Sequence, residues 1–182
     1  MWDWLQQLSG GAGAFLGALA GSFFGLLAIL AGALYNAHLN RERDDRIRQQ
    51  DTYAAAQAVL GELQAVHSAL TRNIVDMQKD VEPGGGFVGP DLNHMIHLFP
   101  MMLPRLGLVE AESIRAIVDA YTVIEQYSET LTLIGATIDQ RVPGRNMVFT
   151  PMEQSAPVIT MTKSIIEQIE VAITHLKAVP KG

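Results

Sequence analysis

The sequence predicts an all-α chain: an N-terminal transmembrane helix that continues into a cytoplasmic, antiparallel three- to four-helix bundle. Three observations carry this prediction. From Trp4 to Asn40 the chain has no Asp, Glu, Lys or Arg. Beyond Arg48, apolar residues recur at steps of three and four in three separate stretches, the spacing of helices that bury one face. No stretch alternates polar and apolar residues for long, so essentially no sheet is expected.

Residues 1–11 read as a short extracytoplasmic N-terminus and residues 12–35 as the span. A helix needs about 20 apolar residues to cross about 30 Å of hydrocarbon, and Ala12 to Leu34 supplies them. A signal peptide would begin with a basic region, whereas MWDWLQQ carries no Lys or Arg. Before the span there are no cations; after it come Arg41, Arg43, Arg46 and Arg48. Cations favour the cytoplasmic side, which puts the N-terminus outside and the C-terminal domain in the cytoplasm. Trp2, Trp4 and Tyr35, with Arg41 and Arg43, read as anchors at the two interfaces. The run RERDDRIR has only one net positive charge, which argues against a polybasic lipid-binding patch.

Within the span, Gly13, Gly17, Gly21 and Gly25 stand four residues apart, and Ala14, Ala18 and Ser22 widen the same smooth surface. In lipid, apolar side chains gain nothing by associating, so helices pair where small residues let their backbones approach. The expected partner is another membrane protein or a second copy of this chain, within a lipid bilayer. Ser22 is the one polar side chain between Ala12 and Leu34, too little to line a conducting pore.

Residues 36–80 read as a juxtamembrane and long bundle helix. Arg41–Asp45, Glu42–Arg46 and Asp44–Arg48 are opposite charges at i,i+4, each worth about 0.2–0.5 kcal/mol. No Pro or Gly intervenes between Tyr35 and Gly61, where the helix could bend. Its expected seam is Leu60, Leu63, His67, Leu70, Ile74, Met77 and Val81. Residues 81–109 read as a loop at Glu82-Pro83-Gly84-Gly85-Gly86 and a short apolar helical segment. Asp91 is placed to cap that helix to about Phe99, and Pro100 and Pro104 break any longer one. The segment either plugs the bundle or docks a partner through Phe99, Met101, Met102 and Leu103; methionine suits adaptable contacts.

A further helix is expected over 110–141, with Glu110 and Glu112 complementing its dipole and a seam of Ile114, Ile117, Tyr121, Ile124, Ser128, Leu131, Gly135 and Ile138. Residues 142–150 read as a loop. The last helix is expected over 151–179, opened by Thr150-Pro151-Met152-Glu153 as a capping box. Its seam is Ile159, Thr162, Ile166, Ile169, Ile173 and Leu176, and Pro157 kinks it or delays its start.

The stretch Leu103-Pro104-Arg105-Leu106-Gly107-Leu108-Val109-Glu110, followed by Ile114, Ile117 and Tyr121, resembles one found in uncharacterised bacterial membrane proteins. These have one N-terminal span, a charged juxtamembrane helix and a small cytoplasmic helical domain. The resemblance implies the bacterial inner membrane as the setting and transfers no activity and no site residues.

The residues themselves point away from chemistry. The net charge is −6, with nine Lys/Arg against fifteen Asp/Glu after Arg48, and an acidic domain repels a phosphate backbone, so no nucleic acid is expected. There is no cysteine, hence no thiolate metal site. PGGGFVGP lacks the Gly-Lys-Ser/Thr ending of a phosphate loop. His94 and His97, with Asp91 nearby, lack further zinc ligands, and His38 alone near a helix end is weak ground for a haem ligand. Glu167 and Glu170 read as a solvated helix face. No catalytic residues, cofactor, metal or small-molecule substrate are expected. The expected role is a non-enzymatic accessory or scaffold subunit of a larger inner-membrane assembly, a respiratory or photosynthetic complex being one host it would fit. The alternatives are a self-associating homo-oligomer and a membrane-anchored sensor or enzyme.

Overall fold

The computed structural model describes residues 10–79, 85–134, 137–139 and 147–181. The chain divides into two units, Met1–Arg48 and Gln49–Gly182. Helix α1, Gly10–Met77, has 68 residues and belongs to both. It is the one described helix long and apolar enough to cross a membrane. It passes Gly61 without a break.

In the first unit α1 is exposed from Gly13 to Arg48. Of the expected i,i+4 pairs, Glu42–Arg46 is present at 3.9 Å, and Glu42 also meets His38 at 3.4 Å. Trp2 and Trp4 lie outside the described residues.

The second unit holds α2 (Leu98–Met102), α3 (Ala111–Leu133) and α4 (Ser155–Lys177), with 3-10 turns at Leu92–His94, Leu103–Arg105 and Met152–Gln154. Ser113 faces His175 while Tyr127 faces Thr162, so α3 and α4 run antiparallel. Helices α1, α3 and α4 share one hydrophobic core. On α1 one line of buried positions steps from Thr52 through Ala56, Val59, Leu63, Val66, Leu70 and Asn73 to Met77, with Ala55, Leu60 and Glu62 buried beside it. On α3 such a line runs Ser113, Ile117, Ala120, Ile124, Tyr127, Leu131, with Tyr121 beside it; on α4 it runs Val158, Thr162, Ile165, Ile169, Ala172, Leu176, with Ile173 beside it. Every step is four or three in alternation, the 3.5-residue period that keeps one seam facing its neighbours.

Of the expected seam positions, Leu60, Leu63, Leu70, Met77, Ile117, Tyr121, Ile124, Leu131, Thr162, Ile169, Ile173 and Leu176 are buried. His67, Ile74, Ile114, Ser128, Ile159 and Ile166 are only half-buried flanks. The core also takes Asn73 and Ser113, which a count of large apolar residues passes over, and Thr162, which the expected seam included. Polar groups survive in a core when hydrogen-bonded: Thr162 Oγ1 donates to the Val158 carbonyl at 2.7 Å and lies 3.1 Å from the Tyr127 hydroxyl. Val81 and Gly135 lie outside the described residues.

The expectation of essentially no sheet is wrong. Strands β1 (Gly86–Pro90), β2 (Thr137–Asp139) and β3 (Met147–Pro151) form a three-stranded antiparallel sheet in the order β1-β3-β2. Glycines hid β1 from pattern reading, and its packing requires one of them. A Cβ on Gly86 would lie 2.5 Å from the Phe149 ring and 2.6 Å from the Thr150 carbonyl oxygen. The glycine therefore lets the strand pass close to its neighbour, with an aromatic ring filling the space. In β3, Val148 and Thr150 point inward, alternating with half-buried Met147, Phe149 and Pro151.

The sheet also corrects three boundaries. Helix α3 ends at Leu133 rather than 141, because Thr137–Asp139 pairs with β3, and Ile138 is a strand residue. Residues 147–150, expected as loop, are strand. The capping box at Thr150 does not form: Thr150 and Pro151 belong to β3, and α4 starts at Ser155 after a 3-10 turn. Pro157 sits in the first turn of α4, where its missing N–H costs nothing. Asp91 does act as a cap, accepting from the Asn93 N–H, but on a 3-10 turn of three residues; a separate short α2 follows.

Candidate functional site

Two features stand out, one in each unit. The first is the small-residue surface of α1. A four-residue step advances about 400° around a 3.6-residue helix, so the line Gly13-Gly17-Gly21-Gly25 winds by about 120°. A straighter line lies beside it. Gly11, Ala14, Ala18, Gly21, Gly25, Ala28 and Gly32 step by three and four in alternation, drifting only about 20° per seven residues. All are exposed, and a Cβ built on any of these glycines meets nothing within 4 Å. Ser22 flanks the line. The two lines share Gly21 and Gly25. Around the rest of the helix stand Phe15, Leu16, Leu19, Phe23, Phe24, Leu26, Leu27 and Leu30, all exposed. Tyr35, Arg41 and Arg43 are exposed on the same helix.

The second feature is Glu62, the one charged side chain buried among the described residues, at 7 % exposure. One carboxylate oxygen accepts the N–H groups of His97 at 2.5 Å and Leu98 at 2.7 Å. The other accepts the Phe99 N–H at 3.2 Å and the Tyr121 hydroxyl at 2.5 Å. These N–H groups open α2, where a helix has donors without partners and a partial positive charge. The ring of Phe99 stacks on Tyr121, with centroids 4.1 Å apart and planes at 11°.

Burial pushes the Glu62 carboxyl up, but the Leu98 N–H, the Tyr121 hydroxyl and the His97 and Phe99 N–H groups together outweigh it, so its pKa sits below the ordinary glutamate value. Burial, then the adjacent carboxylate, pushes the Tyr121 phenol well above its usual range, so it stays a donor. A carboxylate with four donors and a lowered pKa is a poor proton acceptor. This arrangement ties the start of α2 to α1 and α3. The sequence carried one signal for it: Glu62 completes an i, i+3, i+4, i+7 set with Val59, Leu63 and Val66, an acid inside an apolar face.

The four candidate docking residues divide. Phe99 and Met102 are half-buried against the core, whereas Met101 and Leu103 are 60 % and 42 % exposed, as is Leu108 at 61 %. Leu103 and Leu108 flank Leu106, which is fully buried. A cleft of about 350 Å³ lies beside this end of the unit, lined by Gln49, Thr52, Leu108, Val179, Pro180 and Lys181.

The histidines do not gather. His67 meets Glu170 at 3.1 Å, His94 meets Asp91 at 3.8 Å, and His175 Nδ1 lies 3.1 Å from Ser113 Oγ. Among the described residues no three His, Asp or Glu side chains are grouped to hold a metal ion. Compared with protein-family models, curated proteins and solved structures, the chain returns no match.

Proposed function

We propose that this chain is a non-enzymatic, single-pass accessory or scaffold subunit of a larger bacterial inner-membrane assembly. Its N-terminus lies outside and its helical domain in the cytoplasm. In this reading α1 docks in the bilayer through its small-residue line, and the cytoplasmic helical bundle contacts the same assembly through Met101, Leu103 and neighbouring apolar residues. The observation that carries it is the run Gly11-Ala14-Ala18-Gly21-Gly25-Ala28-Gly32, exposed and unobstructed along one side of an apolar helix. Such a surface wastes packing against lipid and gains it against another helix. The cations at Arg41, Arg43, Arg46 and Arg48 support the orientation. The four bonds that occupy Glu62 support a structural role for the most unusual carboxylate in the domain.

The test is native-state size in mild detergent after extraction from the host membrane. Wild-type protein should migrate with other proteins, identified by mass spectrometry. Gly21→Leu with Gly25→Leu should release it, and Gly13→Leu, off the straighter line, should not. Migration of the wild type as a lone monomer, or no response to the paired substitution, defeats the proposal. A complex made of this chain alone would instead establish the homo-oligomer.

A further inference from the structure

The chain has eight methionines and no cysteine, so the thioether is its only sulfur group open to oxidation. The fold ranks these thioethers by access. Met77 sits in the core at 1 % exposure. Met95, Met102 and Met161 are half-buried against that core, and Met147 and Met152 are half-buried in β3 and the turn that follows it. Met101 is the one exposed methionine among the described residues, at 60 %. It stands on α2 between Pro100 and Pro104, both exposed, and Leu103 beside it is 42 % exposed. The contacts that fix α2 bypass it: Glu62 takes the N–H groups of His97, Leu98 and Phe99, and the Phe99 ring stacks on Tyr121. A change of polarity at Met101 therefore leaves the fold intact and alters only the surface that α2 presents.

We propose that Met101 is a modification site for hydrogen peroxide, and that its sulfoxide keeps the unassembled chain from docking. The sulfur lone pair attacks one peroxide oxygen, and the O–O bond breaks as the S–O bond forms. Sulfur loses two electrons and the peroxide is reduced. The departing hydroxide takes the proton left on the transferred oxygen and leaves as water. The product is a polar side chain where an apolar, adaptable one stood, and methionine sulfoxide reductases return it to the thioether. An apolar interface would have to bury the new oxygen without a hydrogen-bond donor, which opposes docking. Once docked, Met101 is covered, so the modification acts on the free chain. The docking step rests on the function proposed above; the selective oxidation does not.

Brief hydrogen peroxide treatment of the full chain in detergent, read by peptide mass spectrometry, tests the site without any partner. Met101 should gain oxygen at least about tenfold faster than Met77, which reacts only when the core opens. It should also precede Met95, Met102, Met147, Met152 and Met161, with fragment ions separating it from Met102. Near-ultraviolet circular dichroism should not change with the first oxygen. Equal rates at Met101 and Met102, or a loss of that signal, overturn the site. The docking step is read on variants in the host membrane, by the share of chain that migrates with other proteins in mild detergent. Met101→Gln, polar and of similar length, should lower that share severalfold. Met101→Leu, which peroxide does not modify, should keep it at the wild-type level. Full association of Met101→Gln overturns the block on docking. In native membranes Met101 should react more slowly than in the isolated chain. Equal reactivity in both, with Met101 still oxidised first, defeats the docking reading and leaves the oxidation site standing.

Discussion

Replacing Val66 and His67 separately by alanine tests the packing register on which the domain depends. Val66 is fully buried, between Leu63 and Leu70 on the alternating seam of α1. His67, its neighbour, is half-buried and bonded at 3.1 Å to Glu170, whose side chain is 59 % exposed. Val66→Ala removes two methylene equivalents at about 0.8 kcal/mol each, and the cavity adds to that, for a total of about 2–3 kcal/mol. A domain of this size loses about 3–5 °C per kcal/mol, so its Tm should fall by about 10 °C. His67→Ala breaks a partly solvated pair worth about 1 kcal/mol or less, with a correspondingly small shift. The buried Tyr121 and Tyr127 allow unfolding of this unit to be followed by near-ultraviolet circular dichroism in detergent. An equal or larger loss for His67→Ala would place the histidine in the core and refute the register.

Gly61 is exposed on α1 and a Cβ there meets nothing within 4 Å. Gly61→Ala should therefore stabilise by about 0.5–1 kcal/mol through helix propensity alone, read as a rise in Tm; a fall would show that the helix needs freedom there. Gly86→Ala should destabilise by about 1–3 kcal/mol, because the new methyl meets the Thr150 carbonyl at 2.6 Å; an unchanged Tm would contradict the close strand approach. The Glu62 carboxyl is lowered in the folded state from 4.5, so its contribution is full above that pH and is lost as pH falls below it through the folded value. Wild-type Tm should drop across that acid range more steeply than the Tm of Glu62→Gln, and parallel profiles would contradict the assignment.

The long elements were legible because length and period are properties of the sequence itself. The uncharged stretch gave α1, and recurring isoleucines and leucines gave α3 and α4. The expected seams held large buried residues such as Leu63, Leu70, Ile117, Ile124, Ile169 and Leu176 but missed smaller ones, because the reading favoured large apolar side chains. The packed positions include Ala56, Ala120, Ala172 and Asn73, whose burial follows from what faces them. The sheet was hidden by Gly86 and Gly89, which contribute no alternation of their own, and by β3, which reads locally as a helix start. Glu62 was overlooked because nothing near it in sequence pairs with it. Its partners lie 35 to 37 and 59 residues away and are mostly backbone groups, which no residue pattern reveals. The docking segment was half legible: its apolar character shows in the sequence, and its division into packed Phe99 and Met102 and exposed Met101 and Leu103 comes only from the fold.

Site-specific cross-linking in the native membrane tests the central proposal most directly, and the absence of cysteine makes each engineered site unique. Single cysteines at Gly21 and Gly25, on the small-residue line, would be compared with one at Leu27, on the far side of the same helix. The account predicts adducts with one distinct membrane protein at Gly21 and Gly25 and little at Leu27. Equal adducts from all three positions, or none above background at Gly21 and Gly25, would contradict it.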